Sequence, residues 1–453
     1  MSHVLILGAT GHLGQHLPLA LQERGHTVHA LVRPESLASG DAVKQAQVDA
    51  LRRRGVVLHP GSLQDDASLR AACAGIDVVI SAVTGEQLGE QPKLFAAMLE
   101  AGVQRFLPSE FGIDTQQPEA GRCALVDWKR GVQAAVKASG VPYTMVYANG
   151  FASYWAASLG QIGLFAPPAT SVRVFGDGDT PGHFVQPEDI ARYVACIIDD
   201  PRTENREVGL FPADNRRTQN ELIAQWESVR GATLGRENID AATVDWLIGD
   251  AAGKPERMME WIVLQLVRSV WIDGALAERR DGVLDATRLY PDVGYTRVDD
   301  FVAGFAAPSA TASLSDPVQA YLKALNAGDT TALSSCFAQD YRSDQPGYPG
   351  RAFCGREVVV RNHVQLFERG TVRAQVQSAT TTKPDASGVR RNYLELTYDL
   401  NRHDGTTDLL VGTIVFGATD KEIRWGRLHL QPVDRAELDL EIDALIDQSR
   451  GIQ

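Results

Sequence analysis

Over its first 146 residues the chain alternates short apolar runs with helix-length amphipathic stretches. The runs fall at 4–7, 28–32, 56–59, 78–82, 105–108 and 143–146, most of them rich in β-branched residues. Strands separated by helix-length segments need crossover connections, so this part predicts an α/β fold: a doubly wound parallel sheet of the Rossmann type. The first helix is expected from about residue 12 to Gly25, a glycine suited to a left-handed stop. From 149 to about 305 the pattern loosens into helices, including 219–230 and 255–270, and short strands, which predicts a smaller substrate lobe. The small, polar run Ala-Ala-Pro-Ser-Ala-Thr-Ala-Ser-Leu-Ser at 306–315 reads as an exposed linker. Beyond it, helices are expected at 317–327, 331–338 and near 357–369, and strands at 372–382, 392–401, 409–419 and 422–431. Helices followed by a run of strands make this part α+β. The division is then 1–306, a linker at 307–315, a second domain at 316–436 and a tail at 437–453.

Composition narrows the partners. Of 453 residues, 44% are hydrophobic and 22% charged, and the net charge is −13, a balance that suits a globular chain and repels polyanions such as nucleic acid. The N-terminus enters a strand by Val4, without the basic and apolar run of a secretory leader. No run reaches the roughly 18 apolar residues of a membrane span. The five cysteines, Cys73, Cys123, Cys196, Cys336 and Cys354, form no C-x-x-C pair, so no metal is expected and reduced thiols in the cytoplasm fit best.

The first candidate chemistry is Val-Leu-Ile-Leu-Gly8-Ala-Thr10-Gly11-His12-Leu13-Gly14. Spaced glycines at a strand-to-helix turn let the backbone approach a pyrophosphate, with the helix N-terminus facing its charge. The second strand ends in Arg33, where an NAD-type site would carry an acidic residue for the ribose 2′-hydroxyl. A guanidinium suits a 2′-phosphate, so NADPH is the expected cofactor. Lys44 either adds charge to the same pocket or lies on an exposed helix. The small-residue loop Ser81-Ala82-Val83-Thr-Gly85 either lets a dinucleotide lie across the strand ends or is only a turn.

Several later motifs occur together and in order: Arg105-Phe-Leu-Pro-Ser-Glu-Phe-Gly112, Lys129, Gly140-Val-Pro-Tyr-Thr144, Asn149-Gly-Phe151, Phe175-Gly-Asp-Gly178, Glu188-Asp-Ile190, Asn220-Glu-Leu222 up to Trp226, and Leu289-Tyr-Pro-Asp-Val293. With them, residues 3 to 306 closely resemble the isoflavone reductase-like group, which includes phenylcoumaran benzylic ether and pinoresinol–lariciresinol reductases. The resemblance implies an atypical short-chain dehydrogenase of the NmrA-like type and makes Lys129 the general acid/base. A lysine beside a nicotinamide cleft can act so if burial eases its deprotonation. A conventional short-chain dehydrogenase has a tyrosine four residues earlier, but Leu125 stands there, which moves the chemistry away from simple alcohol–ketone exchange. Phe151 matches a family residue whose ring packs near the nicotinamide, or is an ordinary core aromatic; Asn149 belongs to the same motif. Ser109, Glu110 and Phe111 line the cleft or cap the fifth strand, with Phe111 the nearest to a cofactor contact. Between Gly178 and Glu188 a lysine common in reductase relatives is missing, and His183 is either a polar substitute or structural.

The segment from about 315 to 433 resembles the cone-shaped SnoaL-like polyketide cyclases and nuclear transport factor relatives, through Asp316-Pro-Val-Gln-Ala-Tyr-Leu-Lys-Ala-Leu-Asn-Ala-Gly-Asp329, Leu333, Phe337 and Gly355-Arg-Glu357. Such a domain is open to several roles: shaping the substrate pocket, a second step such as cyclisation, or pairing two copies into a homodimer. Its candidate pocket groups are Asp340, Tyr341, His363 and His429. The resulting expectation is an NADPH-dependent reductase of a small aromatic or conjugated metabolite. The alternatives are an NADP(H)-binding sensor without turnover and a cofactor-retaining isomerase or cyclase.

Overall fold

The computed structural model of the chain describes residues 1–37, 42–161, 164, 167–168, 171–306, 314–344, 353–382, 384, 387–403 and 407–432. Most of the expected linker, 307–313, and the tail at 437–453 lie outside them.

Six strands open the fold: β1 His3–Leu7, β2 Thr27–Val32, β3 Val57–Pro60, β4 Val78–Ser81, β5 Arg105–Leu107 and β6 Thr144–Tyr147. The first five form one sheet in the order β3-β2-β1-β4-β5, every pair parallel. A parallel bridge between Phe106 and Tyr143 carries the order on to β6, which pairs with Arg206–Gly209 and through it with Leu284–Asp285. This is the Rossmann arrangement. The chain winds outward from β1 to β3, then returns to β4 on the other side of β1, which opens a crevice at the carboxyl ends of β1 and β4.

The apolar runs are continuous because both faces of the sheet are covered. Val4 and Ile6 enter one apolar layer with the helices Leu17–Glu23 and Pro187–Ile197, whereas Leu5 and Leu7 enter the other with Asp66–Cys73, Leu94–Ala101 and Ala124–Ala138. The first helix begins at Leu17 rather than at 12, because Pro18 lacks the amide hydrogen a helix interior needs and fits only its first turn. Residues 11–16 form turns, with Gly11 N donating to Gly8 O at 2.8 Å and Gln15 N to Gly11 O at 3.1 Å. Gly25, at φ +83°, ends the helix as expected.

The lobe has its own core, built from the helices Gln219–Arg230, Ala241–Ala251 and Met258–Val267 and the parallel strands Ser171–Phe175 and Gly235–Ile239. Thr218 and Glu221 make a reciprocal capping box at the start of the first of these helices. The stretch expected as one helix over 255–270 divides into a 3-10 turn, Pro255–Arg257, the helix Met258–Val267 and a π-helical turn, Arg268–Ile272.

Residues 314–432 are α+β. The helices Asp316–Ala327, Thr330–Cys336 and Arg356–Phe367 pack on a mixed six-stranded sheet. Its order across is Phe353–Cys354, Phe337–Asp344, Ile423–Pro432, Thr407–Ala418, Arg390–Arg402 and Gly370–Thr381. The four strands expected from the sequence are all present, but the helix expected over 331–338 stops at Cys336 and a strand follows at once. Among the described residues this unit meets the first where Phe337–Asp344 packs beside the helix Ala42–Arg53 and Gly370–Thr381 beside the turn Gly304–Ala306, whose Phe305 meets the Tyr393 ring edge-on at 6.4 Å.

Candidate active site

The crevice between β1 and β4 is shaped by glycine. Gly8 has φ +77°, and a Cβ there would stand 2.5 Å from the carbonyl oxygen of Ala82; at Gly14 it would stand 2.0 Å from Gly8 O. Neither position can take a side chain without moving backbone. The turn is therefore folded tightly against the end of β4, leaving backbone exposed toward the crevice. Leu13 is buried in the core, so only its backbone is available, while Thr10 and His12 are partly exposed. On the β4 side Ser81 is fully buried, with no hydrogen-bond partner for its Oγ. Val83 O accepts from Ser109 Oγ at 2.7 Å, and Ser109 N donates to Gln91 Oε1 at 2.8 Å, which ties the ends of β4 and β5 together.

Past β5, the next wall is the helix Ala124–Ala138. Gln265 from the lobe accepts from Ala124 N at 2.7 Å, standing in for the cap that Cys123 does not make. Lys129 and Gln133, four residues apart, lie on the face this helix turns inward with Val126, Val132 and Val136. Lys129 Nζ donates to the backbone oxygen of Glu110 at 2.9 Å. Burial pulls its pKa down, and the neighbouring Glu110 opposes that pull. Glu110 itself is fully buried, and burial pushes its carboxyl up to about 7 against the pull of Lys129. One carboxyl oxygen meets Gln133 Nε2 at 3.0 Å; the other is buried with no partner among the described residues. Gln133 also reaches Thr115 Oγ1 at 2.6 Å and the Tyr147 hydroxyl at 3.1 Å. A lysine easily deprotonated beside a carboxyl that titrates near neutrality is equipped to hold and release a proton.

The third wall comes from β6 and the lobe. Asn149, at φ +57°, donates its backbone N–H to Gly112 O at 2.9 Å, and its side chain donates to Leu210 O, so its polar atoms serve the chain's own path. The Phe151 ring stacks on Tyr154, 5.9 Å between centroids and 7° from parallel, and stands 5.9 Å from the His12 ring. His12 Nε2 contacts Ser153 Oγ at 2.8 Å, and burial lowers its pKa to about 4, so the imidazole is neutral. Continuous contacts thus run from Gly8 through Ala82, Val83, Ser109, Glu110, Lys129, Gly112 and Asn149 to Phe151 and His12.

Other expected residues stand apart from this ring. Arg33 is exposed at the end of β2 and has no ion-pair partner among the described residues. The side chain of Lys44 lies outside the described residues. Phe111, between Glu110 and Gly112 of the ring, is itself buried in the core layer of β1, against which Phe151 also packs. Leu125 is on the helix one turn before Lys129 and brings no hydroxyl. His183 contacts Leu276 O through Nδ1 at 3.1 Å and the edge of Phe211, and burial lowers its pKa. Sequence reasoning left open whether Glu110 lines the cleft and missed Gln133, Thr115, Tyr147, Ser153 and Tyr154. The inward face of the helix at 124–138 was the one available signal, for Gln133.

In the C-terminal unit Asp340 is exposed, which removes it as a pocket group: it lies on the strand that replaces the end of the expected helix. His363 contacts Val359 O at 2.7 Å and the Tyr321 hydroxyl at 3.3 Å, with Tyr398 next at 3.4 Å. Tyr341 is fully buried nearby, and the side chain of His429 lies outside the described residues. Cys73, Cys123, Cys196 and Cys336 are buried, Cys354 is exposed, and all are free thiols.

Comparison with known proteins agrees with this geometry. The model of the NmrA-like family matches residues 1–302. An isoflavone reductase homolog of Zea mays is 38% identical over 311 residues, 67% of this chain and 98% of the relative. A phenylcoumaran benzylic ether reductase of Pinus taeda is 37% identical over 309 residues, with the same coverage. Among solved structures, AtPrR2 with NADP+ and (+)-pinoresinol superposes with a TM-score of 0.61 at 35% identity, over 67% of this chain and 98% of its own. The leucoanthocyanidin reductase–NADPH complex of Vitis vinifera does so with 0.61 at 28% identity, over 68% and 100%. With a Rossmann sheet, a glycine turn locked against β4 and a half-buried Lys129 in a matched stretch of this extent, the chain belongs to the NmrA-like family.

Proposed function

We propose that this protein is an NADPH-dependent reductase of a small aromatic or conjugated metabolite, of the ether, quinone methide or enone type. The observation that carries this reading is Lys129, held on a carbonyl beside a buried carboxyl at the crevice that the glycine turn opens. The cradle fits a dinucleotide, because Gly8 and Gly14 leave backbone where side chains would otherwise stand. Gly8, Thr10, Gly11, His12, Leu13 and Gly14 would hold the diphosphate, Arg33 with Lys44 the 2′-phosphate, and Ser81, Ala82 and Val83 the stretch across the strand ends. Phe111, Lys129, Asn149 and Phe151 would border the nicotinamide. Bound NADPH supplies a hydride. Lys129 delivers or accepts the proton that balances it, Glu110 sets the charge around that lysine, and Phe151 with Tyr154 offers an aromatic wall. A carboxyl that titrates near neutrality and a lysine that deprotonates readily serve turnover, whereas a sensor needs neither.

The C-terminal unit is proposed to be a SnoaL-like domain, and the free cysteines fit a reducing cytoplasmic setting. The test is a titration with NADPH and NADH, followed by NADPH consumption with dilignols such as pinoresinol and with isoflavones, in wild type and Lys129→Ala. Tighter NADPH binding and a loss of about 10²- to 10⁴-fold in turnover on substitution are expected. Equal binding of the two cofactors, or unchanged turnover in the variant, overturns the reading.

A further inference from the structure

The C-terminal sheet has two faces. One carries Asn392, Leu394 and Phe416, all buried, against the three helices. The other is fixed by register. Arg391 pairs with Gly417 and Gly417 with Trp425; in the next row but one, Tyr393 pairs with Val415 and Val415 with Arg427. Residues paired across neighbouring strands, or two apart along one, share a face, so Arg391, Tyr393, Trp425 and Arg427 stand together on the side away from the helices. The Trp425 ring lies over Gly417, where a Cβ would come within 2.1 Å of it.

That outer face is not open to solvent throughout. Val415 is 7% exposed although it is absent from the helix-side core. Tyr393 meets Phe305 at the end of the reductase unit. The strand Phe337–Asp344, whose Arg342 and Ser343 pair with Trp425 and Gly426, packs beside the helix Ala42–Arg53 that follows β2. The face therefore turns toward the reductase unit. The charges of Arg391 and Arg427 both act on His12 of the turn; Arg391 acts on His16 as well, and Arg427 on Tyr154. Arg54 adds a third positive charge at His16, where Glu188, at 3.5 Å, opposes them. Positive charge thus gathers near His12 and His16 in a chain whose net charge is −13.

We propose that Arg391 and Arg427 reach over the glycine turn and bind the diphosphate of the dinucleotide, so that the C-terminal unit clamps the cofactor held by the first. Guanidinium groups suit this because they pair with phosphate oxygens through parallel N–H donors. Both arginines lie beyond the family's matched residues, 1–302. The clamp belongs to this chain's added third. The proposal rests on the NADPH reading above.

The test is a fluorescence titration of the full chain with NADPH and with NADH, in wild type, Arg391→Ala/Arg427→Ala, the charge-preserving Arg391→Lys/Arg427→Lys, the exposed Arg391→Gln alone, and Arg33→Ala. The diphosphate is common to both cofactors, so the alanine pair should weaken both by about ten- to a hundredfold with their ratio unchanged. The lysine pair should stay within several-fold of wild type, and Arg391→Gln alone should weaken both by several-fold, a readout that stands even if the alanine pair fails to fold. Arg33→Ala should instead collapse the ratio. Unchanged affinity in the alanine pair and in Arg391→Gln overturns the clamp alone, and weakening confined to NADPH also overturns it, by assigning the arginines to the 2′-phosphate. A wild type that binds neither dinucleotide overturns the cofactor reading and the clamp with it.

Discussion

Replacing Glu110 with glutamine should change the pH dependence of stability more than stability itself. The carboxyl is fully buried and sits at about 7 against an ordinary value of 4.5, chiefly because burial disfavours its charged form. A group whose folded pKa lies above its unfolded one contributes fully below the unfolded value, and that contribution is lost as the pH rises through the folded value. One pKa unit corresponds to about 1.4 kcal/mol. From this group alone the wild type should therefore lose about 2.5 kcal/mol between pH 5 and pH 8. Glutamine does not titrate, so the variant is spared that loss. Its amide would stand where the unpartnered carboxyl oxygen now stands, an unmet donor costing about 1–3 kcal/mol. That cost is the same at every pH and cancels in the comparison. The assay is urea unfolding of both proteins at pH 5 and pH 8, read as the difference between their two pH differences. Parallel curves would refute the reasoning, because they would mean that Glu110 is either solvated or fully neutralised by Lys129.

Three further outcomes follow from other parts of the fold. Gly14→Ala should lower unfolding stability by about 1–3 kcal/mol or more in urea titration, since its Cβ would stand 2.0 Å from Gly8 O; a variant as stable as wild type would mean that the turn gives way easily. Arg33→Ala should weaken NADPH about tenfold in a titration and leave NADH unchanged, as expected for a lost charge-assisted contact to one phosphate. The imidazoles of His3, His29 and His59 join β1, β2 and β3 through contacts of 3.0 and 2.9 Å, and burial lowers the pKa of His29 and of His59. A lowered folded value means that stability is complete above pH 6.5 and falls with acidification, so His29→Gln should flatten the drop in melting temperature between pH 7 and pH 5.

What could be read from the sequence was what depends on local order along the chain. β1 and β4 were visible because both their faces are buried, so they contain almost nothing but apolar residues, and β2 because a buried face of Val28, Ala30 and Val32 alternates with a half-buried one. The glycine turn was visible because Gly8 and Gly14 answer to backbone geometry within seven residues. The start of the first helix was misplaced where Pro18 outweighed the apolar pattern. The strand Phe337–Asp344 was missed because it follows a helix with no turn residue between them. At Pro18 a local backbone constraint decided the boundary, at Phe337 no residue marked it, and in neither case did the hydrophobic period carry a trace of it.

The site behaves differently because its chemistry is spread over elements distant in sequence. Lys129 was found through resemblance, but what tunes it is a buried polar group drawn from Glu110, Thr115, Gln133 and Tyr147, on one connection, a helix and a strand. None of the four is unusual where it stands; Gln133 alone would read as a surface residue. Their significance arises only when the Rossmann winding brings the end of β5 under that helix. The same holds for Arg391 and Arg427, ordinary arginines on strands of an added domain until the register places them on one face and that face meets the reductase unit. With the clamp in place, the fusion is more than two functions on one chain. The cofactor would then be held jointly, and loss of the C-terminal unit would weaken NADPH binding in a reductase unit whose own glycine turn is intact.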